Sequence, residues 1–324
     1  MANLDIFAPS ISVVARGLDG KVVTIYGSNN LGKTKQSTRM KKPLYLPFER
    51  GLNAIAGVPF MAINTWSDFK KVNKQLTKNP EKAKEVYQTI IIDEVDAFAK
   101  YATRYVCSQY GVERIKDGNE GFGLWKEYET EIFEEINKLL GVGFTIIFIA
   151  HAETDKNGKV RPKGDKRVLS PVIDNSDIVV YLESNGIDED RQVIKSSAWL
   201  AETDEFFARS RFDYIDTYIE EFTAENLEKT VIEAIERQEK AEGITAVTFE
   251  QQKEVYKSEE FTYEELMAQI KELGGKLAKQ DRLEEVTEVA EKNLGKGKKI
   301  TECTKNQVEV MSVILDELKD LLAE

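Results

Sequence analysis

The chain has 324 residues, of which 41% are hydrophobic, and its 57 acidic and 45 basic side chains give a net charge of −12. This composition is typical of a globular protein of about two domains, and the negative charge excludes a whole-protein basic binder of nucleic acid or membrane. Two cysteines and one histidine make neither a zinc-site spacing nor a disulfide framework, which indicates a reducing compartment.

Residues 1–212 alternate short β-branched runs with helical patterns. This alternation is typical of an α/β domain built on a parallel sheet. Two of the runs, 89–93 and 145–150, are apolar almost throughout, as strands buried on both faces are. The sequence therefore predicts a mainly parallel sheet flanked by helices, with strands at 22–26, 44–46, 60–63, 89–93, 145–150, 177–182 and 191–194 and helices at 33–41, 66–77, 95–110 and 124–140.

The last third of the chain differs in charge and in pattern. Residues 213–324 carry 28 acidic and 15 basic side chains, whereas residues 1–212 carry 29 acidic and 30 basic. Helical periodicity runs through almost all of this acidic part. We therefore predict a core domain over residues 1–240 and a mostly helical, acidic C-terminal region over residues 241–324.

Helix-capping signals divide the acidic part. Thr223 and Gly243 are placed to cap the two ends of one helix. A capping box at Thr262–Glu265 opens a second helix, which the pair Gly274–Gly275 is expected to close. A last helix over 304–322 carries an apolar stripe, which packs either against the body of the protein or against a partner helix: Val308, Met311, Leu315, Leu318 and Leu322.

The segment after the first predicted strand fits the pattern G-x-x-x-x-G-K-[ST] without departure. Its glycines let the backbone curl so that successive N–H groups point at phosphate oxygens. Lys33 then supplies a charge to the β- and γ-phosphates, and Thr34 supplies a hydroxyl group to Mg²⁺. We therefore predict a site for ATP and Mg²⁺ whose phosphate-binding residues are Gly27, Ser28, Asn29, Asn30, Leu31, Gly32, Lys33 and Thr34.

A pair of carboxylates ends the apolar strand 89–93. Ligands of open α/β sheets lie at the carboxyl ends of the strands, which is where this pair falls. Asp93 is therefore predicted to hold Mg²⁺ together with Thr34. Glu94 is a candidate for polarising the attacking water.

Short segments elsewhere resemble RecA-type ATPases. Glu49 follows the strand 44–46 and matches the position at which an acidic residue of that family activates water. His151 resembles the strand-end residue that senses the γ-phosphate. Arg209 and Arg211 resemble the Lys-Asn-Arg-Phe signature of the RadA branch, in which both cations reach the nucleotide of a neighbouring subunit.

Over roughly residues 10–240 the layout is similar to phage-encoded RecA-like ATPases, the AAA-type NTP-binding proteins that include the Sak group of single-strand annealing proteins. Pro47 departs from that pattern, because it stands where the family usually has aspartate. The residue that activates water is either Glu49 or Glu94, and the resemblance favours Glu49. His151 is otherwise a structural residue, and the two arginines are otherwise partners in surface ion pairs.

A basic stretch over residues 155–167 follows His151 directly and carries six basic against two acidic side chains. In RecA-like folds the loop after this strand lines the DNA channel, so the resemblance implies contacts to the phosphates of single-stranded DNA. Stacking on the bases would come from elsewhere, with Phe122 or Trp125 as candidates. A solvated basic hairpin is the alternative. The candidate DNA-binding residues are Lys156, Lys159, Arg161, Lys163, Lys166 and Arg167.

The resemblance implies a Mg²⁺-dependent ATPase that acts on single-stranded DNA in phage recombination or annealing. It also implies a homo-oligomer in the cytoplasm of the host cell, with a single-strand DNA-binding protein as a further partner and no membrane. Two other functions stay open, a nucleotide-switched assembly protein that binds no DNA and a replicative helicase-type motor. The acidic C-terminal region either competes with DNA for the basic stretch or keeps the protein in solution.

Overall fold

The computed structural model describes residues 7–49, 55–256 and 261–323. The chain divides into two compact units. One comprises residues 10–256, and the other comprises Met1–Pro9 and Lys257–Glu324, of which 7–9 and 261–323 are described. Among the described residues, no helix has the length and apolar character that a bilayer crossing requires.

The described part of the first unit contains a nine-stranded sheet in the order β2-β3-β4-β1-β6-β7-β9, with β5 paired to β4 and β8 paired to β6. Strands β2, β3, β4, β1 and β6 are parallel to one another, and the four short strands β5, β7, β8 and β9 pair antiparallel. The predicted mainly parallel sheet is therefore confirmed. The strands are β1 (Val22–Gly27), β2 (Pro43–Pro47), β3 (Thr89–Asp93), β4 (Thr145–Thr154), β5 (Val160–Pro162), β6 (Ile178–Glu183), β7 (Ser197–Trp199), β8 (Arg209–Ser210) and β9 (Tyr218–Ile219).

Helices cover both faces of this sheet. One face packs on a core that includes Phe69, Phe98 and Tyr128, and the other on a core that includes Leu227 and Val231. Apolar side chains on both faces explain why β3 and β4 read as continuous apolar runs. The helices of this unit are α1 (Lys33–Ser37), α2 (Trp66–Lys78), α3 (Pro80–Val86), α4 (Val95–Gln109), α5 (Trp125–Val142), α6 (Lys166–Ile173), α7 (Ala224–Glu242) and α8 (Phe249–Val255).

The register of the sheet brings the phosphate-binding motif, Asp93 and His151 to one edge. Gly27, the last residue of β1, lies opposite His151 of β4. Pro47, the last residue of β2, lies opposite Asp93 of β3. Because β1, β2, β3 and β4 are parallel, their carboxyl ends form a continuous edge at which the phosphate-binding motif and the carboxylates meet.

Two predicted strands are wrong. In the segment 60–63, Phe60 makes a single bridge to Tyr45 and is 53% exposed. In the segment 191–194, Val193 makes an isolated bridge to Ile187 and is 72% exposed. Both segments carry β-branched or aromatic residues, but Phe60 and Val193 are exposed, so these side chains gain none of the packing that favours a longer ladder. Helix α1 is also shorter than the predicted 33–41.

The first unit continues beyond residue 240 because α8 is bonded to its body. The side chain of Gln252 donates a hydrogen bond to the carbonyl oxygen of Val13 at 2.7 Å. Val247, just before α8, forms a bridge with Ala15. These contacts place the end of the unit at Tyr256.

The described part of the second unit contains three long helices around a core of its own, α9 (Tyr263–Lys279), α10 (Leu283–Leu294) and α11 (Val308–Ala323). Met311, Leu315 and Leu318 of the predicted apolar stripe are buried in this core, so the stripe packs within the unit. Helix α9 runs through Gly274–Gly275, where the sequence predicted its end. Its apolar side chains on both sides of the pair join one core, and this packing offsets the low helix propensity of glycine, about 1 kcal/mol per residue.

Candidate nucleotide-binding site

The segment Gly27–Thr34 curls between the end of β1 and α1, and its glycines fit their positions for two different reasons. Gly32 has φ +83°, in the left-handed region that favours glycine. A Cβ atom on Gly27 would lie 2.8 Å from the carbonyl oxygen of Leu182, which is too close for any larger residue. The backbone of the loop therefore takes a path that these two glycines permit.

Lys33 turns back into the concave side of this loop. Its Nζ atom donates hydrogen bonds to the carbonyl oxygens of Gly27 at 2.8 Å and Ser28 at 2.6 Å. The side chain is buried, and burial lowers the pKa of Lys33 to about 8, against the raising effect of Asp93 and Glu94. An anion next to this buried ammonium group would favour its charged form, as phosphate binding requires.

Thr34 and Asp93 link the loop to the end of β3. The hydroxyl group of Thr34 donates a hydrogen bond to Oδ2 of Asp93 at 2.7 Å. Within the ranges that the structure describes, no cluster of three or more histidine, cysteine or carboxylate side chains could hold a metal by itself. One hydroxyl and one carboxylate suit Mg²⁺, which usually takes few protein ligands and completes its shell with water and substrate phosphates.

Glu94 and His151 meet at the ends of β3 and β4. Nε2 of His151 lies 2.8 Å from Oε2 of Glu94, and Glu94 is 8% exposed. Burial, with the nearby charges of Glu49, Asp96 and Asp93, raises the pKa of Glu94 to about 7. Burial and the charge of Lys33 lower the pKa of His151. Both shifts favour the uncharged forms of the pair.

Glu49 lies near this pair but in a different environment. It follows the end of β2 and is exposed to solvent. Its charge raises the pKa of Glu94, which brings the two candidate glutamates into one electrostatic cluster. Glu94 is the buried member of that cluster, and Glu49 is the exposed one.

An open cleft of about 910 Å³ lies over the loop, and Asp93 and His151 contribute to its lining. This volume is sufficient for a nucleotide. The cleft is also lined by residues outside every predicted motif: Thr38, Arg39 and the segment Ile55–Val58. They belong to no motif, so only the fold identifies them.

Arg209 and Arg211 lie away from this cleft. Arg209 of β8 pairs with Val179, near the start of β6, and the start of β6 lies beside the start of β1. The phosphate-binding loop follows the opposite end of β1. The two arginines therefore do not join the site of their own chain.

The guanidinium group of Arg209 closes the carboxyl end of α6. One of its nitrogens, Nη2, donates to the carbonyl oxygens of Ile173 at 2.9 Å, Asp174 at 2.6 Å and Ser176 at 2.9 Å. Arg211 is different, because its side chain is 54% exposed and pairs with Asp177 at 3.2 Å.

We expect Arg209→Ala to lower the free energy of unfolding by about 2 kcal/mol, because charge-assisted hydrogen bonds to three carbonyl groups are lost. Arg211→Ala, which removes one exposed ion pair, should cost less than about 1 kcal/mol. Urea denaturation of both variants measures the difference. Equal stabilities would contradict a capping role for Arg209.

The basic stretch 155–167 forms a hairpin of β4 and β5 that leads into α6, and three of its six cations have partners in the chain. Lys159 pairs with Glu202 at 2.6 Å, and Arg161 pairs with Asp155 at 2.8 Å. The guanidinium group of Arg167 lies 4.3 Å from the ring centre of Trp125. Three of the six residues predicted to bind DNA phosphates are therefore engaged by other side chains of the chain.

Lys156, Lys163 and Lys166 are the other three cations of the hairpin. All three are exposed, and they make no ion pair within 7–49, 55–256 and 261–323. The backbone N–H of Lys163 donates to the carbonyl oxygen of His151 at 2.8 Å, so the hairpin adjoins the Glu94–His151 pair directly. Phe122, one of the two predicted stacking residues, is 81% exposed.

Comparison with known proteins shows similarity along the whole chain. A family described as an AAA domain matches residues 19–212, a range that contains every candidate site residue named above. The chain is also 78% identical over 321 residues, 99% of each sequence, to the SPbeta prophage-derived uncharacterized protein YorG of Bacillus subtilis (strain 168).

Proposed function

The chain belongs to this family of AAA domains, and from that premise we propose that it binds ATP with Mg²⁺ and hydrolyses it. The observation that carries the proposal is the 2.7 Å hydrogen bond between Thr34 and Asp93. It joins a complete phosphate-binding loop to a carboxylate on a separate buried strand. Phosphoryl transfer from ATP to water depends on positioning and charge neutralisation more than on covalent catalysis by the protein.

In the proposed reaction, the N–H groups of the loop and the ammonium group of Lys33 bind the phosphates. Thr34 and Asp93 would hold Mg²⁺, which would supply positive charge beside the transferred phosphoryl group. Glu94 accepts the proton of the attacking water. Its burial and its contact with His151 support this role, because a general base acts from a fixed position.

We further propose that the ATPase acts on single-stranded DNA in phage recombination or annealing. The prophage origin of the relative and the resemblance to the Sak group support the context. The three unpaired lysines of the hairpin support the contact to phosphates, as does the hydrogen bond from this hairpin to His151. The exposed Arg211 supports a homo-oligomer, in which it would meet a second copy of the chain.

Turnover measured with and without a single-stranded oligonucleotide tests this function, and we expect the oligonucleotide to raise it. Changing Lys156, Lys163 and Lys166 together to Gln should weaken oligonucleotide binding. The slope of log K against log salt should fall by about 2 units, near 0.7 for each lost phosphate contact. Fluorescence anisotropy at several salt concentrations measures both effects.

A matched control changes three other lysines to Gln. Lys296, Lys298 and Lys299 are exposed on a turn of the second unit and lie outside the hairpin. This variant has the same net charge as the hairpin variant. Because its substitutions lie outside the hairpin, its oligonucleotide binding should stay at the wild-type level. If wild-type protein with ATP binds no oligonucleotide, a nucleotide-switched assembly protein becomes the better proposal.

A further inference from the structure

Tyr45 reaches the site from a strand that contributes no motif to it. It lies in the middle of β2, opposite Ile91 of β3, two residues before the position of Asp93. Its ring is fully buried. The phenol oxygen donates a hydrogen bond to Oδ2 of Asp93 at 2.9 Å.

The backbone of Tyr45 is held as firmly as its ring. Its N–H donates to the carbonyl oxygen of Pro59 at 2.9 Å, and its own carbonyl oxygen accepts from the N–H of Met61 at 3.1 Å. A buried phenol on a backbone bonded in this way has one position for its hydroxyl group. The hydroxyl group of a tyrosine is both a donor and an acceptor, and toward a carboxylate oxygen it acts as the donor.

Oδ2 of Asp93 therefore accepts two hydroxyl groups, one from Thr34 and one from Tyr45. A carboxylate oxygen has two lone pairs, and both are used here. The structure shows no partner for Oδ1 among the described residues. Oδ1 is then the oxygen left to meet the water shell of a bound ion, because Mg²⁺ usually keeps several waters.

We propose that Tyr45 is a positioning residue that fixes the carboxylate of Asp93 for Mg²⁺. The inference rests on the proposed function, since it gives a role to a residue that contacts neither the nucleotide nor the ion. Hydrogen-bond partners of metal ligands typically contribute 10- to 100-fold to metal affinity. Tyr45 is such a hydrogen-bond partner of Asp93, the proposed Mg²⁺ ligand.

The test is Tyr45→Phe, which removes the hydroxyl group and keeps the ring. Binding of a fluorescent ADP analogue is measured in EDTA and then at increasing Mg²⁺ concentration. We expect the Mg²⁺ concentration that gives half of the affinity gain to rise by about 10- to 100-fold. Affinity in EDTA should not change. Tyr128→Phe is the matched control, because Tyr128 is also fully buried and donates its hydroxyl to the carbonyl oxygen of Val168, away from Asp93.

The outcomes separate the inference from the function on which it rests. An unchanged Mg²⁺ midpoint in Tyr45→Phe overturns the inference, as does an equal shift in Tyr128→Phe. A parallel loss of affinity in EDTA and in Mg²⁺ also overturns it, because that result indicates general loosening of the core. If wild-type protein binds no nucleotide, or binds it without a Mg²⁺ effect, the proposed function fails first and the inference fails with it.

Discussion

Replacing Lys33 by alanine is expected to reduce ATP hydrolysis by at least about 10²-fold, the usual cost of removing one preorganised donor from a site of charge development. The ammonium group of Lys33 is buried in the concave side of the loop, where it donates a hydrogen bond to the carbonyl oxygen of Gly27. Phosphate release by the purified variant measures the loss. Asp93→Ala should lose hydrolysis for a different reason, because Mg²⁺ is no longer positioned.

Lys74→Ala is a suitable control for the charge change, because Lys74 is exposed on α2. It should hydrolyse ATP at the wild-type rate. Nucleotide binding separates the two site variants, since Lys33→Ala should lose phosphate contacts while Asp93→Ala keeps more of its affinity. Wild-type turnover by either site variant would refute the assignment of the loop and the carboxylate.

The second large effect is expected at Glu94. Glu94→Gln should lower kcat by about 10²- to 10⁴-fold, the usual contribution of a general base, while ATP still binds. Glu49→Gln should lower kcat by less than about tenfold, because Glu49 is exposed and acts on the site only through its charge. Each variant neutralises one carboxylate of the same cluster, so each is the control for the other. Steady-state kinetics at saturating ATP measure both values.

A larger loss in Glu49→Gln would place the base after β2, as the resemblance to RecA-type ATPases implies. Equal, additive losses would mean that neither glutamate is the single base. Both results would leave the phosphate-binding loop unaffected, since Lys33 and Thr34 do not depend on which glutamate accepts the proton.

The sequence was sufficient for the parts of the site that are local in the chain. Gly27–Thr34 form a contiguous motif, and each residue type has a chemical reason that can be stated without a fold. Asp93 follows because an apolar run that ends in a carboxylate indicates a buried strand. The parallel sheet follows from the same runs, since strands covered on both faces carry no polar alternation.

Contacts between distant segments could not be predicted in this way. Tyr45 reads as one more aromatic residue in a strand, and only the pairing of β2 with β3 brings its hydroxyl to Asp93. Arg209 reads as part of a signature, whereas the structure shows its guanidinium group bound to carbonyl groups of α6 and the residues just after it. Pairing register and helix capping by remote side chains depend on the whole fold, so no local pattern indicates them.

β1 lies between β4 and β6, and its residues are buried. Backbone amides in such a strand exchange with solvent mainly when the whole sheet opens. The phosphate-binding loop follows β1 directly, and its residues Ser28, Asn29 and Asn30 are exposed. A nucleotide bound there would add RT ln(1 + [L]/Kd) to the stability of the folded state, so ligand occupancy and resistance to global opening are thermodynamically linked.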